Sequence, residues 1–150
     1  MLKVIVVGLG PIGMSCAKAV RADPSMKLIG LVDLDPQKLD KTLEELLGET
    51  QSKRRSVRVV NQIALAAKGA DLAIVATTSH FDQIVPTLRQ CMKHRLYVVS
   101  SCEEMSFPNF RHKKLANQID REAKKAKVAL LGTGVNPGFV MDLLPLVLSS

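Results

Sequence analysis

The densest group of reactive side chains in this sequence is Ser100-Ser101-Cys102-Glu103-Glu104, where two hydroxyls, a thiol and two carboxylates follow one another without a gap. Neighbouring carboxylates can hold a cationic ligand or take a proton from an amine. At the start of a helix they would instead favour its dipole. Cys102 is a candidate nucleophile, although no histidine is fixed beside it to activate it and buried thiols are usually inert. His80, at the end of Ala76-Thr77-Thr78-Ser79-His80, is a candidate general base or a contact beside a ligand. Asn136 and Asp142 add polar groups near the end of the chain, with Asp142 facing either a cleft or solvent. No group of His, Cys, Asp and Glu has the spacing of a metal site.

The elements that must position these residues begin with Val4-Ile5-Val6-Val7-Gly8-Leu9-Gly10-Pro11-Ile12-Gly13. An apolar run enters a glycine turn that opens a helix, which is how bare backbone is presented to a pyrophosphate. Gly8 makes the turn, Gly10 admits the phosphates, and Gly13 lets helix and strand pack closely. Pro11 and Ile12 complete the loop, and the helix N-terminus favours an anion. A second apolar run, Lys27 to Val32, ends at Asp33, whose carboxylate is placed to accept from both ribose hydroxyls. These residues read as a nucleotide-cofactor site. Asp33 favours NAD over NADP, yet Lys38 and the Lys53-Arg54-Arg55 cluster could reach a 2′-phosphate, so both cofactors remain open.

Strands and helices alternate along the rest of the chain. Ile12, Cys16, Ala19 and Val20 mark the inner face of the first helix. Asp35-Pro36 reads as an N-cap and first-turn proline for a second helix with Leu39, Leu43, Leu46 and Leu47 buried and Gly48 as its stop. Val57 to Val60, Leu72 to Ala76, Leu96 to Val99 and Val128 to Leu131 are the later strands. A short helix from Ile63 to Lys68 precedes the fourth strand. Ser79 with Asp82 reads as a capping box for the helix after it, where Pro86 predicts a kink or a late start. Ile84, Leu88, Cys91 and Met92 face inward on that helix, and Leu115, Ile119 and Ala123 on the basic helix between strands five and six. The pattern defines an α/β fold, a doubly wound parallel sheet of strand order 3-2-1-4-5-6. Ligands gather at the carboxyl ends of such strands, which selects Ala76, Thr77, Thr78 and His80, then Ser100, Ser101 and Cys102, then Asn136.

Composition agrees with one globular α/β domain: 47% of the 150 residues are hydrophobic and 3% are aromatic. No apolar stretch approaches the roughly 18 residues of a spanning helix, so no membrane is expected as a partner. Three cysteines without CxxC spacing point to free thiols and a cytoplasmic setting. The net charge of +7 is read as a solvated surface that steers an anionic cofactor. The shortage of stacking aromatics argues against nucleic acid. After the turn Gly132 to Gly138, the apolar residues Phe139, Val140, Leu143, Leu144, Val147 and Leu148 want a covering surface. Residues 1–138 are accordingly expected to form the dinucleotide-binding domain. Residues 139–150 are expected to begin a connection to an absent substrate domain, or to contact another subunit.

Three stretches together resemble a known family: Gly8 to Gly13, Ser101-Cys102-Glu103-Glu104-Met105-Ser106-Phe107-Pro108, and Gly132-Thr133-Gly134-Val135-Asn136-Pro137-Gly138-Phe139-Val140-Met141-Asp142. They are similar to dihydrodipicolinate reductase-like oxidoreductases and the related native amine dehydrogenases. The resemblance spans essentially the whole chain, and its second and third motifs are the specific ones. It implies a Rossmann-type fold, NAD or NADP, and oxidative deamination of a small primary amine such as 2,4-diaminopentanoate. It also implies that Glu104 or Glu103 binds the amine and relays its proton, with Glu104 preferred. A homo-oligomer and a further substrate domain are expected of the full-length family member, and the 150 residues alone are expected to be inactive. Two other functions compete: a non-catalytic NAD(P)-binding module, and an acylating aldehyde dehydrogenase-like enzyme using Cys102.

Overall fold

The computed structural model describes residues 1–50 and 56–149; the expected contribution of Lys53, Arg54 and Arg55 lies outside the described residues. Among the described residues six strands, β1 (Leu2–Val7), β2 (Met26–Val32), β3 (Val59–Val60), β4 (Leu72–Val75), β5 (Tyr97–Ser100) and β6 (Leu130–Gly132), have the order β3-β2-β1-β4-β5-β6. The pairings β1–β2, β1–β4, β2–β3 and β5–β6 are all parallel, as the doubly wound pattern predicts. The chain divides into two compact units, Met1–Ala76 and Thr77–Ser150.

In the first unit, Val4 to Val7 are buried, which explains why β1 reads as an unbroken apolar run rather than an alternating one. Helix α1 (Pro11–Ala22) buries Gly13, Ala17 and Val20. Val20 is buried as predicted and Cys16 is half-buried, but Ile12 is exposed and Ala19 lies on the outside. Two small residues, Gly13 and Ala17, take the contact because they let the helix lie close to the sheet. Val6, Leu9, Ala17, Leu31, Leu43 and Val59 make the core of this unit.

The second predicted helix is much shorter than expected. Asp35 does accept the Gln37 N–H at 2.9 Å, but this closes a turn, and residues 36–40 stay in turns. Helix α2 (Leu43–Leu47) starts instead at Thr42, which forms a reciprocal capping box with Glu45, and it ends at Gly48 as predicted. Helix α3 is Ile63–Ala66.

The second unit contains α4 (Phe81–Lys93), a 3₁₀ turn (Glu103–Met105), α5 (Asn109–Ala126), a π-helical turn (Val135–Leu143) and α6 (Leu144–Leu148). Helix α4 buries Ile84, Leu88, Cys91 and Met92 as predicted, and it runs through Pro86 from a start five residues earlier. Ala116, Ile119 and Ala123 are the buried residues of α5, with Leu115 half-buried. A bidentate Arg89–Glu122 pair at 2.9 and 3.0 Å ties α4 to α5. Gly132 to Gly138 is only partly the expected turn, since Val135 already enters the π-helical segment. Asp142 lies in that segment and accepts the Gly138 N–H at 2.7 Å. Among the described residues, no helix is long and apolar enough to cross a membrane.

Candidate functional site

The glycine loop connects β1 to α1, and its shape is set by the two outer glycines. Gly8 has φ +86°, a left-handed conformation that side chains disfavour, and its N–H donates to the Val32 carbonyl at 2.8 Å. A Cβ on Gly13 would sit 1.7 Å from the Gly8 carbonyl oxygen, so no side chain is compatible with this helix-to-loop approach. Gly10 is different: a Cβ there meets nothing within 4 Å. Gly10 is also the N-cap of α1, with no side-chain cap bond and no acidic residue in the first turn. The loop thus leaves open space over an uncapped positive helix end, the geometry that receives a phosphate. Pro11 and Ile12 are both exposed beside it.

Asp33 closes this arrangement from the end of β2. One carboxylate oxygen, Oδ2, accepts the Leu9 N–H at 2.6 Å, and Oδ1 accepts the Asp35 N–H at 2.8 Å. Lys38 Nζ lies 3.3 Å from Asp33 Oδ2 and 3.4 Å from Asp35 Oδ2. Partial burial pushes the Asp33 pKa up, but the two N–H donors and the Lys38 ammonium outweigh it and hold the group below the ordinary aspartate value. Asp33 is therefore an anion fastened to the glycine loop. Its type and distance from Gly13 were legible in the sequence; its bond to Leu9 was not.

In the second unit the polar residues gather around Glu104. Its Oε2 accepts the N–H of Phe81, the first residue of α4, at 2.8 Å, and its own N–H donates to the Ser79 carbonyl at 3.3 Å. Glu104 Oε1 lies 3.3 Å from Arg111 Nη1 and 3.7 Å from His80 Nδ1, while Oε2 lies 3.4 Å from His112 Nε2. The Phe81 N–H, followed by the charges of His112, His80 and Arg111, prevails over desolvation and holds the Glu104 pKa below its ordinary value. This carboxylate does the capping that Ser79 was expected to do, since α4 begins after His80 without a side-chain cap of its own. Glu103 is exposed, and the two glutamates do open a short helical turn.

His112 reaches the group because α5 leaves helical geometry at that residue (φ −125°, ψ 40°), which also sets its ring 5.9 Å from that of Phe81. Neither His112 nor Arg111 was singled out from the sequence; only a three-dimensional contact reveals them. Asp82, Glu104 and His112 each bring one ligand atom within 4.8 Å of the others, a juxtaposition the linear spacing conceals. The guanidinium already on Glu104 opposes a cation there.

The remaining candidates divide by exposure. Thr77 and His80 are exposed, and Ala76, Thr78 and Ser101 are half-buried. Ser100 and Cys102 are buried, and the Ser100 hydroxyl accepts the Cys102 N–H at 3.1 Å. Burial raises the Cys102 thiol pKa, which is contrary to what a nucleophile requires. Asn136 is exposed within the π-helical turn.

Fold and loop together define a Rossmann-type nucleotide-binding architecture. Along 99% of its length the chain is similar to 2,4-diaminopentanoate dehydrogenase of Acetoanaerobium sticklandii, at 30% identity, and to an amine dehydrogenase of Streptomyces virginiae, at 26%. It spans 42% of the length of each of these relatives. The structure of an amine dehydrogenase from Mycobacterium smegmatis superposes with a TM-score of 0.83 at 26% identity, covering 99% of this chain and 44% of that one. A structure of GenD2 from gentamicin A biosynthesis in complex with NAD shares the fold (TM-score 0.64, 24% identity, 87% of this chain and 34% of that one). No family model matches the sequence. The amine-dehydrogenase resemblance read from three motifs is thus matched along nearly the entire chain.

Proposed function

We propose that this chain carries the cofactor chemistry of an NAD(P)-dependent dehydrogenase acting on a small primary amine, with 2,4-diaminopentanoate as the substrate. The observation that carries the cofactor half is the open backbone at Gly10 over the uncapped end of α1, with Asp33 fastened beside it. The amine half is supported by the similarity to amine dehydrogenases along 99% of the chain and by the resemblance of the stretches Ser101 to Pro108 and Gly132 to Asp142. Gly8, Gly10, Pro11, Ile12, Gly13 and Asp33 hold the adenosine diphosphate half. Ala76, Thr77, Thr78, His80, Ser101 and Asn136, with the backbone at Ser100 and Cys102, are the proposed contacts of the nicotinamide half. The bound cofactor supplies the hydride acceptor.

A base would first take one proton from the substrate ammonium. The freed nitrogen lone pair would then form the C=N bond as the carbon's hydride leaves for the cofactor. Water would add to the iminium carbon and expel the nitrogen as ammonium, leaving the ketone. Glu104 is held as an anion, but Arg111, His80, His112 and the Phe81 N–H already face its oxygens, so a substrate ammonium binds it by displacing the exposed Arg111 guanidinium. Its lowered pKa makes it a weak proton acceptor. Exposed Glu103 is the second candidate for the proton. Burial of Cys102 counts against the thiol-based alternative.

The test compares wild type, Glu104→Gln and Glu103→Gln in the protein containing its full reading frame. It follows NAD(P)H formation with 2,4-diaminopentanoate alongside NADH affinity. Loss of amine-dependent reduction in a glutamate variant with NADH binding intact supports the proposal. Unchanged turnover in both variants defeats the glutamate assignment, and NADH binding without amine-dependent reduction in wild type favours a non-catalytic module.

A further inference from the structure

We infer that Lys38 is the residue that admits a 2′-phosphate to this site, so that the adenosine end accepts phosphorylated and unphosphorylated ribose with comparable affinity. The inference rests on the cofactor reading above and deepens it.

An aspartate at the end of β2 ordinarily selects the unphosphorylated cofactor in two ways. Its oxygens accept from the ribose hydroxyls, and its charge repels a phosphate. Both effects are weakened here. An ionised carboxylate offers about four acceptor positions. Asp33 already uses two on the Leu9 and Asp35 N–H groups and a third on the Lys38 ammonium. Its side chain is 13% exposed, so it is spent on the loop more than it is offered to a ligand.

The repulsion is reduced by Lys38, whose Nζ stands 3.3 Å from Asp33 and 3.4 Å from Asp35 and sets one positive charge against the two carboxylates. The lysine side chain is 27% exposed, it follows the turn Asp35 closes, and its flexible stem lets the ammonium move from the carboxylates to a phosphate. With unphosphorylated ribose, Lys38 remains on the aspartates and Asp33 keeps one acceptor position for a hydroxyl. With phosphorylated ribose, the ammonium bridges carboxylate and phosphate. Among the described residues, no other cation pairs with Asp33.

The test uses the 150-residue chain and four probes, NADH, NADPH, 5′-ADP and 2′,5′-ADP, measured by calorimetry and by NAD(P)H fluorescence. Wild type should bind NADPH and NADH within about tenfold of each other. Lys38→Ala should weaken NADPH and 2′,5′-ADP at least tenfold while NADH and 5′-ADP change less than about threefold. Lys38→Arg should keep the phosphorylated pair. Because Lys38→Ala could disturb the Asp33 turn, salt dependence provides a second measurement. The NADPH-to-NADH affinity ratio of wild type should fall as salt rises, and that of Lys38→Ala should not.

Equal losses for both cofactors in Lys38→Ala, or a ratio indifferent to Lys38 and to salt, overturn the inference and leave the cofactor site standing. Failure of wild type to bind any of the four probes overturns both.

Discussion

Asp33 shows how one carboxylate serves structure and ligand selection together. Its folded pKa lies below the aspartate value because N–H donors and Lys38 outweigh partial burial, so its ionised form stabilises the fold. That contribution is fully present above the pKa of the unfolded chain and is lost as pH falls through the lower folded value. Removing the acceptors by Asp33→Ala should cost about 1.5–3 kcal/mol at pH 7, the range for hydrogen bonds to a charged group. Urea titrations of both proteins at pH 7 and at a series of pH values falling below the ordinary aspartate pKa check this: the gap in midpoint should be widest at pH 7 and shrink steadily as pH falls. A gap independent of pH would mean that the charge of Asp33 is immaterial to the loop.

At the scale of elements, the tightest requirement is the contact between α1 and the glycine loop. Gly13→Ala should cost about 2–3 kcal/mol or more, because its methyl group meets a backbone oxygen rather than a movable side chain. Thermal melting together with NADH titration should show lower stability and lost binding, and a wild-type-like variant would mean that the loop can open without penalty. The sheet order and the Gly8–Gly13 turn were legible because buried parallel strands are continuously apolar and glycines have few substitutes in such a turn. On α1 the prediction finds Val20 but misses Gly13 and Ala17, because a search for bulky apolar side chains passes over such small residues. Asp35 reads as a helix cap in the sequence since a closed turn and a cap share the same side-chain bond; the helix waits for Thr42. Capping of α4 by Glu104 and the kink that brings His112 to it were not legible at all. Both depend on partners many positions away in sequence.

For the whole molecule, two surface properties stand out: a net charge of +7 and a row of exposed apolar residues, including Phe139, Met141, Leu143, Leu146 and Leu148. The charge should draw in a polyanionic cofactor, so its association rate constant should decline with added salt. Stopped-flow fluorescence with NADH measures that rate directly, and a salt-independent rate would assign steering no part. The bond from the Leu9 N–H to Asp33 bears on the same measurement. Because that bond ties the loop to a side chain of the same sheet, the loop is expected to be preformed, with little backbone rearrangement on binding. Capture of the adenosine diphosphate half should then follow a single exponential whose rate rises linearly with ligand concentration, as in lock-and-key encounters. A hyperbolic approach to a plateau is the signature of a receptor that must first change shape.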